Sequence, residues 1–584
     1  MGCSGRNDGI MDKVLPAAAR KNHITKRNSE TDYWAGEKDN PGYPNNEYPT
    51  QQRQGNMNKL GFGVFLASSM SADSIYTSPY TSPQVRQLLC DIYFRNVDPL
   101  FKILHQPSIQ KFLRDGECYL DYERGHQVPA TLASAIYFAA VCSLDNSECQ
   151  SFFHRDKRTL VALLQKKTEA ALVEADCATS NHLAVLQAYV LSLLATRSQD
   201  QSRRIWTMLS MALRMAQALS LHKPNPPFPV CTFEQEMRRR LWLAIGLLDV
   251  SVSLNRATEP MMQTAWLQSH PPSNVNDDDI WFDMDGPVQE LDDSIFTDMS
   301  FSLILSAAQN VIRSIGFSEF TEPSVEPLAL RHRLVHDFQQ TASRLLRGCM
   351  PDSETFHWYT KNSTRTINAW LQLISFRPLL RSRGFVPPTV PGDYVLRLAA
   401  ETFQRMQEVY SDPRASAWRW FECMWIPWHG LAVAMAELRV CEDPVAMAQY
   451  YPIVEQVYSG SSSLINDTQS GIIRKPMENL MSETRAKKSE LLDHRGVGGL
   501  TTQTSCGSSS NEIDLAGFEV RSLTSLPLGL KPIANSHEQI PYDTDPSILP
   551  KYGQMYGTSW ILVTWGLIMR VTRLGKVTRT SFMI

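Results

Sequence analysis

Apolar residues in the middle of the chain recur every three or four positions, the spacing that lines one face of an α-helix. Order is predicted to begin at Ser82-Pro83, where a capping residue precedes a proline suited to a first helical turn. Leu88, Leu89, Ile92, Tyr93 and Asn96 then keep helical spacing until Pro99 breaks it. Pro107 starts a second, short helix carrying Ile109, Phe112 and Leu113. Further helices are predicted over 129–142, 151–175, 182–194 and 203–221. After an acidic loop at 276–285 the pattern returns over 300–315, 328–346, 364–380, 394–410 and 417–441. No run alternates at period two over a strand's length. The expected fold class is therefore all-α, a large multi-helical domain of antiparallel helices joined by short loops.

The stretch 232–260, TFEQEMRRRLWLAIGLLDVSVSLNRATEP, stands at the centre of this pattern. Thr232 and Gln235 have the spacing of a capping box. Leu241, Ile245, Leu248 and Val252 fall on one face, and Trp242 and Leu243 widen it, so the helix is predicted to be buried over most of its circumference. Arg238, Arg239 and Arg240 lie one turn before the apolar run, where they can reach solvent or pair with carboxylates. Asp249 sits inside the run. A carboxylate there needs a partner or a solvated crevice, and a structural salt bridge is the expected answer, with a catalytic role as the alternative.

The flanks differ in composition. Residues 1–83 are rich in Gly, Asn, Ser, Pro and Gln, lack any period, and are expected to be disordered. They carry one basic cluster, Arg20, Lys21, Lys26 and Arg27, readable as a nuclear-import signal, a DNA-contacting arm or a plain solvated patch. The helical domain is placed at 84–445, a low-complexity linker at 446–545, and a tail at 546–584. In that tail an apolar run at 560–569 precedes Arg570, Arg573, Lys576 and Arg579. The run is too short for a bilayer span, which takes about 20 residues, so no membrane span is expected.

Hydrophobic residues make up 43% of the 584, enough for a sizeable core, and the net charge of -3 exerts no global pull on nucleic acid or anionic membrane. The 11 cysteines form no C-x-x-C pair, which suggests reduced thiols in the cytosol or nucleus. Catalytic signatures are missing: no G-x-S-x-G, no G-x-x-x-x-G-K and no H-E-x-x-H occurs. His332 and His336 share a helix face without a third metal ligand and are read as an exposed polar face. Cys142 and Cys149 are read as packing residues. Asp277-Asp278-Asp279 falls in a Pro/Asn-rich loop rather than on a helix facing a cavity, which disfavours a magnesium site. No catalytic, cofactor-binding or metal-binding residue is nominated, and the chain is not expected to be an enzyme.

Several segments together resemble the fungal-specific transcription factor domain, the regulatory region that follows a six-cysteine binuclear zinc cluster. Tyr93-Phe94, Val97-Asp98-Pro99-Leu100 and Ile103-Leu104-His105-Gln106-Pro107-Ser108 are similar to the family's entry helix and its leucine-His-x-Pro turn. Ala135-Ile136-Tyr137-Phe138-Ala139-Ala140 resembles the second helix, and the segment from Ile205 to His222 resembles the run before the central motif. The central motif is matched by Glu236, Arg238-Arg239-Arg240, Leu241-Trp242 and Leu248-Asp249. Phe376-Arg377-Pro378-Leu379 and the Trp425-x-x-Trp428-x-Gly430 core resemble later signatures. The resemblance implies structural roles for Asp98, Pro99, His105, Pro107, Arg239, Arg240, Trp242, Asp249, Arg377 and Pro378.

Two departures stand out. Where the family usually has Gly-Arg-Pro after the central aspartate, this chain reads Asn255-Arg256-Ala257-Thr258-Glu259-Pro260. The zinc cluster needs C-x2-C-x6-C twice over, and only Cys3 precedes Cys90. The expectation is that the DNA reader has been lost or that the reading frame begins inside or after it, and that this chain holds no cofactor. The resemblance implies a nuclear regulator of a secondary-metabolite or nutrient-use gene cluster. Its implied partners are DNA, other transcription proteins and a small-molecule effector. A helical ligand- or partner-binding scaffold without direct DNA contact is the alternative.

Overall fold

In the computed structural model the described residues are 82–496, apart from 201–202, 257, 263–265, 267–270, 293, 317–327, 380–387, 389, 423–424, 426 and 467–472. The expectations for 1–81, including Arg20, Lys21, Lys26 and Arg27, and for the apolar run at 560–569 lie outside them. The described residues form 16 α-helices and no strand. The first half of the domain comprises α1 (Pro83–Asn96), α2 (Gln106–Leu113), α3 (Gln127–Ser143), α4 (Asn146–Phe153), α5 (Lys157–Glu174), α6 (Leu183–Gln199) and α7 (Arg203–Ala218). The central helix is α8 (Thr232–Arg256). It is followed by a 3-10 turn (Asp277–Asp279), α9 (Ser300–Gly316), α10 (Leu328–Leu345), α11 (Thr355–Phe376) and α12 (Tyr394–Ser411). A second 3-10 turn (Pro413–Trp418) leads to α13 (Arg419–Glu422), α14 (Trp428–Val440), α15 (Pro444–Asn466) and α16 (Arg474–Gly496).

The two larger hydrophobic cores share α8. The first joins α1, α3, α6 and α7 to Leu241, Ile245, Leu248 and Val252. The second joins α9, α11, α12 and α14 to Val250 and Leu254. Every residue from Arg240 to Asn255 is buried, so this helix is enclosed on all sides, as its sequence predicts.

Helix ends are closed by distant side chains. Ser82 accepts from the Val85 amide at 3.3 Å, the expected start of α1. At the other end of α1, the Trp418 and Trp420 indoles donate to the Arg95 and Asn96 carbonyls, each at 3.1 Å. The Trp428 indole likewise donates to the Leu254 carbonyl near the end of α8 at 2.7 Å. Last-turn carbonyls have no partner within their own helix, so these indoles satisfy groups that would otherwise be buried without one. Trp428→Phe keeps the ring and removes only the donor. It is expected to lower the unfolding free energy by about 1–2 kcal/mol in urea titration; an unchanged midpoint would mean that the Leu254 carbonyl finds another donor.

The structure corrects several expectations. The single helix predicted at 151–175 is two: α4 ends at His154 in the left-handed region (φ 55), and Asp156 caps α5 through the Thr159 amide at 3.0 Å. The capping box at Thr232 does not form. Thr232 instead donates to the Gly286 carbonyl at 2.7 Å and Gln235 to the Pro224 carbonyl at 3.2 Å, so both tie loops to α8. Helices continue past 445, with α15 at Pro444–Asn466 and α16 at Arg474–Gly496, inside the stretch expected to be linker. Met447, Tyr450, Val454, Met477, Leu480 and Met481 belong to the second core. Helical spacing of these few apolar residues, diluted by Ser, Gly and charged positions, hides the pattern from composition.

Candidate regulatory site

The turn at His105, the N-terminal half of α8 and the Asp277 turn meet in a sealed ionic cluster. Lys102 Nζ lies 2.5 Å from Asp98 Oδ2 and 2.9 Å from Asp277 Oδ2. Arg240 donates to Asp277 Oδ1 at 2.6 Å and to Glu236 Oε1 at 3.1 Å. Glu236 also accepts from the Ser273 amide, and Asp277 accepts from the Gln106 amide at 2.7 Å. His105 donates through Nε2 to the Asp277 carbonyl at 2.9 Å and accepts from Ser108 at its Nδ1, 2.7 Å away. No charged member of the cluster is more than 5% exposed.

Three carboxyl groups here face two cations. The imbalance is relieved if one carboxyl keeps a proton, and Asp98 is the one placed to do so: burial pushes it up to about 7, against the pull of Lys102. Burial pushes on Asp277 too, but Lys102 and Arg240 outweigh it and hold that carboxyl well below its ordinary range. Desolvation lowers the His105 pKa, consistent with a neutral ring bonded at both nitrogens. With no solvent path to these groups, the cluster can brace three chain segments but cannot turn over a substrate.

Asp249 is braced in the same manner about two and a half turns further along α8 than Arg240. Its oxygens accept from the Met261 and Met262 amides, each at 2.9 Å, and from Arg313 at 3.0 Å. Arg313 also donates to the Gly246 carbonyl at 2.8 Å. The two residues that follow the segment departing from the family's Gly-Arg-Pro are thereby held onto the central aspartate.

The other singled-out residues do not converge on one site. Pro99 lies half-buried in the turn after α1, and Pro107 stands in the first turn of α2. Trp242 donates to the Trp266 carbonyl at 3.2 Å. Arg377 donates to Glu437 at 2.8 Å while its carbonyl accepts from His429 at 2.7 Å, and Pro378 is buried beside it. His332 packs edge-on against Phe376, and His336 contacts Gln340. Sequence reasoning missed Lys102, Asp277 and Arg313. Lys102 follows Asp98 at i+4, a spacing that could have paired them. Asp277 falls in the predicted Pro/Asn-rich loop; Asp278 and Asp279 are exposed there, but Asp277 turns inward.

The described cysteines do not fit a zinc cluster. Cys90, Cys142, Cys149 and Cys177 are buried on separate elements. Burial pushes the Cys90 and Cys142 thiols up to about 12, away from the thiolate a metal requires. Among the described residues no three His, Cys, Asp or Glu side chains are grouped to hold a metal ion, and no helix is long and apolar enough to cross a membrane.

Beside the ionic cluster, α8, α9, α10 and the preceding loop enclose an open cleft of about 280 Å³. Arg239, the one arginine of the triplet that is not buried, lines it together with Trp242.

A profile of the fungal specific transcription factor domain matches residues 90–372, from α1 to within α11. Three curated relatives extend the match. A C6 finger domain transcription factor nscR of Trichophyton verrucosum is 33% identical over 78% of this chain and 69% of its own length. The nscR protein of Trichophyton rubrum is 34% identical over 72% and 60%. The C6 finger domain transcription factor adaR of Aspergillus niger is 32% identical over 73% and 56%. The chain thus spans between about half and two thirds of the length of these relatives. Buried charge braces at the matched motifs, a wholly helical body and identity running across most of the chain place the protein in the fungal specific transcription factor domain family.

Proposed function

We propose that the chain is a nuclear transcription regulator of the fungal type, acting through its helical body as a regulatory domain. The observation that carries this reading is the one-third identity to C6 finger domain transcription factors over most of the chain, combined with charged motifs that are sealed from any substrate. On this reading the domain itself needs no cofactor, since the zinc of the family belongs to the cysteine cluster. Its partners are other transcription proteins and a small-molecule effector, with DNA engaged through a separate reader. Genes of secondary metabolism or nutrient use are the proposed targets.

The chain can be tethered upstream of a reporter in a fungal host by fusion to a bacterial operator-binding domain. A several-fold change in reporter output over the operator-binding domain alone is the expected result. No change in either direction would favour the scaffold reading. In a gel assay the purified chain is expected to give only weak, salt-sensitive and sequence-independent shifts, because six cysteines with the cluster spacing do not occur in it. A sequence-selective shift that survives about 150 mM salt would reveal a reader within the chain.

A further inference from the structure

We infer that the cleft between α8, α9 and α10 binds a small organic monoanion with a flat apolar body, which would make it the effector site of the regulator proposed above. The inference rests on that reading for its regulatory meaning but not for the binding itself.

Two features define the ligand. Trp242, Leu243, Leu303 and Leu345 supply apolar wall, and the volume of about 280 Å³ suits a molecule of one or two rings. Two amide groups on the wall are buried and incompletely bonded. Gln309 is 3% exposed and Asn274 7%, yet Gln309 Oε1 and Asn274 Nδ2 have no hydrogen-bond partner. The other end of the Asn274 amide is already committed, accepting from Thr297 at 2.8 Å. Gln309 is held against α8 by the missing side chain of Gly246: a Cβ there would come 2.7 Å from Oε1. Both atoms are closed off from the cleft, so these amides fix the shape of its wall and are not contact points for a ligand.

Charge sets the second requirement. Arg239 lines the cleft, and among its described lining residues Glu290 is the one carboxylate. The nearest carboxylate to Arg239 is Glu236 at 4.0 Å, and Glu236 is already engaged by Arg240 and the Ser273 amide. Arg239 therefore keeps donors for an anion, in a fork geometry that matches a carboxylate.

The test uses the purified full chain and 6-hydroxy-2-naphthoate as probe, with 2-naphthol as the neutral counterpart, read by titration calorimetry. One site per chain is expected, with the anion bound about tenfold more tightly than the naphthol. Arg239→Gln, at a partly exposed position, should weaken the anion about fivefold and leave 2-naphthol unchanged. Ala307→Trp fills the cleft and should abolish both; if that variant melts early, Ser306→Trp on the adjoining wall position serves instead. Absence of binding at about 1 mM probe, equal affinity for the two probes, or anion affinity undiminished in Arg239→Gln would overturn the inference. A chain that regulates when tethered but fails here loses only this site. A chain that binds the probe but leaves the reporter unchanged loses the regulator reading.

Discussion

Asp277→Asn is expected to lower the unfolding free energy by about 3–5 kcal/mol, although the shape of the side chain is preserved. The wild-type carboxylate is the shared partner of Lys102 and Arg240, both buried. An amide takes away the anion that both cations share and turns an NH2 donor toward one of them, and neither cation has an exposed face to satisfy the lost bond. The double variant Asp277→Asn/Arg240→Met should lose less than the sum of the two single changes, by at least about 1 kcal/mol, because the direct bond between the two side chains is counted in both single losses and can be lost only once. Additive losses would mean that the two side chains act separately.

The same carboxylate gives stability a pH dependence. Its folded-state pKa lies below the ordinary value of 3.8 despite burial, because Lys102 and Arg240 favour the charged form. The unfolded chain therefore binds the proton more readily, and the contribution is fully present above pH 3.8 and is lost as the pH falls further. Urea titrations at pH 5 and in the acid range should show this loss in the wild type, and a smaller one in Asp277→Asn.

Asp249→Ala should be comparably damaging, about 3–5 kcal/mol, for a related reason. It strands Arg313, and it also orphans the Met261 and Met262 amides. The loss should appear as a lower melting temperature together with fast hydrogen exchange at those two amides. Adding Arg313→Met should recover part of the stability but not the amide protection, since the methionine removes the buried charge without replacing the acceptor. A normal melting curve for Asp249→Ala would show that the carboxylate is dispensable to the fold and reopen the question of what it does.

Local order was the legible part of the sequence. Helical spacing located α1, α3, α6, α7 and α8, and the apolar surround of Asp249 demanded a partner before any was known. The identity of that partner was not readable, because Arg313 lies 64 residues away on α9 and local pattern says nothing about which distant charge arrives. Asp277 was hidden more thoroughly: it sits beside two solvated aspartates, and only the approach of α8 and the His105 turn distinguishes it. The cleft was invisible too, since it is made by three helices none of which is unusual alone. On α16 the charged composition outweighed the few buried methionines and leucines that dock it.

The indole donors at the end of α1 have a consequence for synthesis. Arg95 and Trp418 are 323 residues apart, so a ribosome adding residues one after another makes the acceptor long before the donor. At roughly 5–20 residues per second that interval is on the order of 20–60 s. The first core also waits for Tyr359, Val409 and Ala415, so its completion belongs to the end of that interval. A transcript truncated before codon 418 would therefore encode α1 without the indoles that bond its last carbonyls.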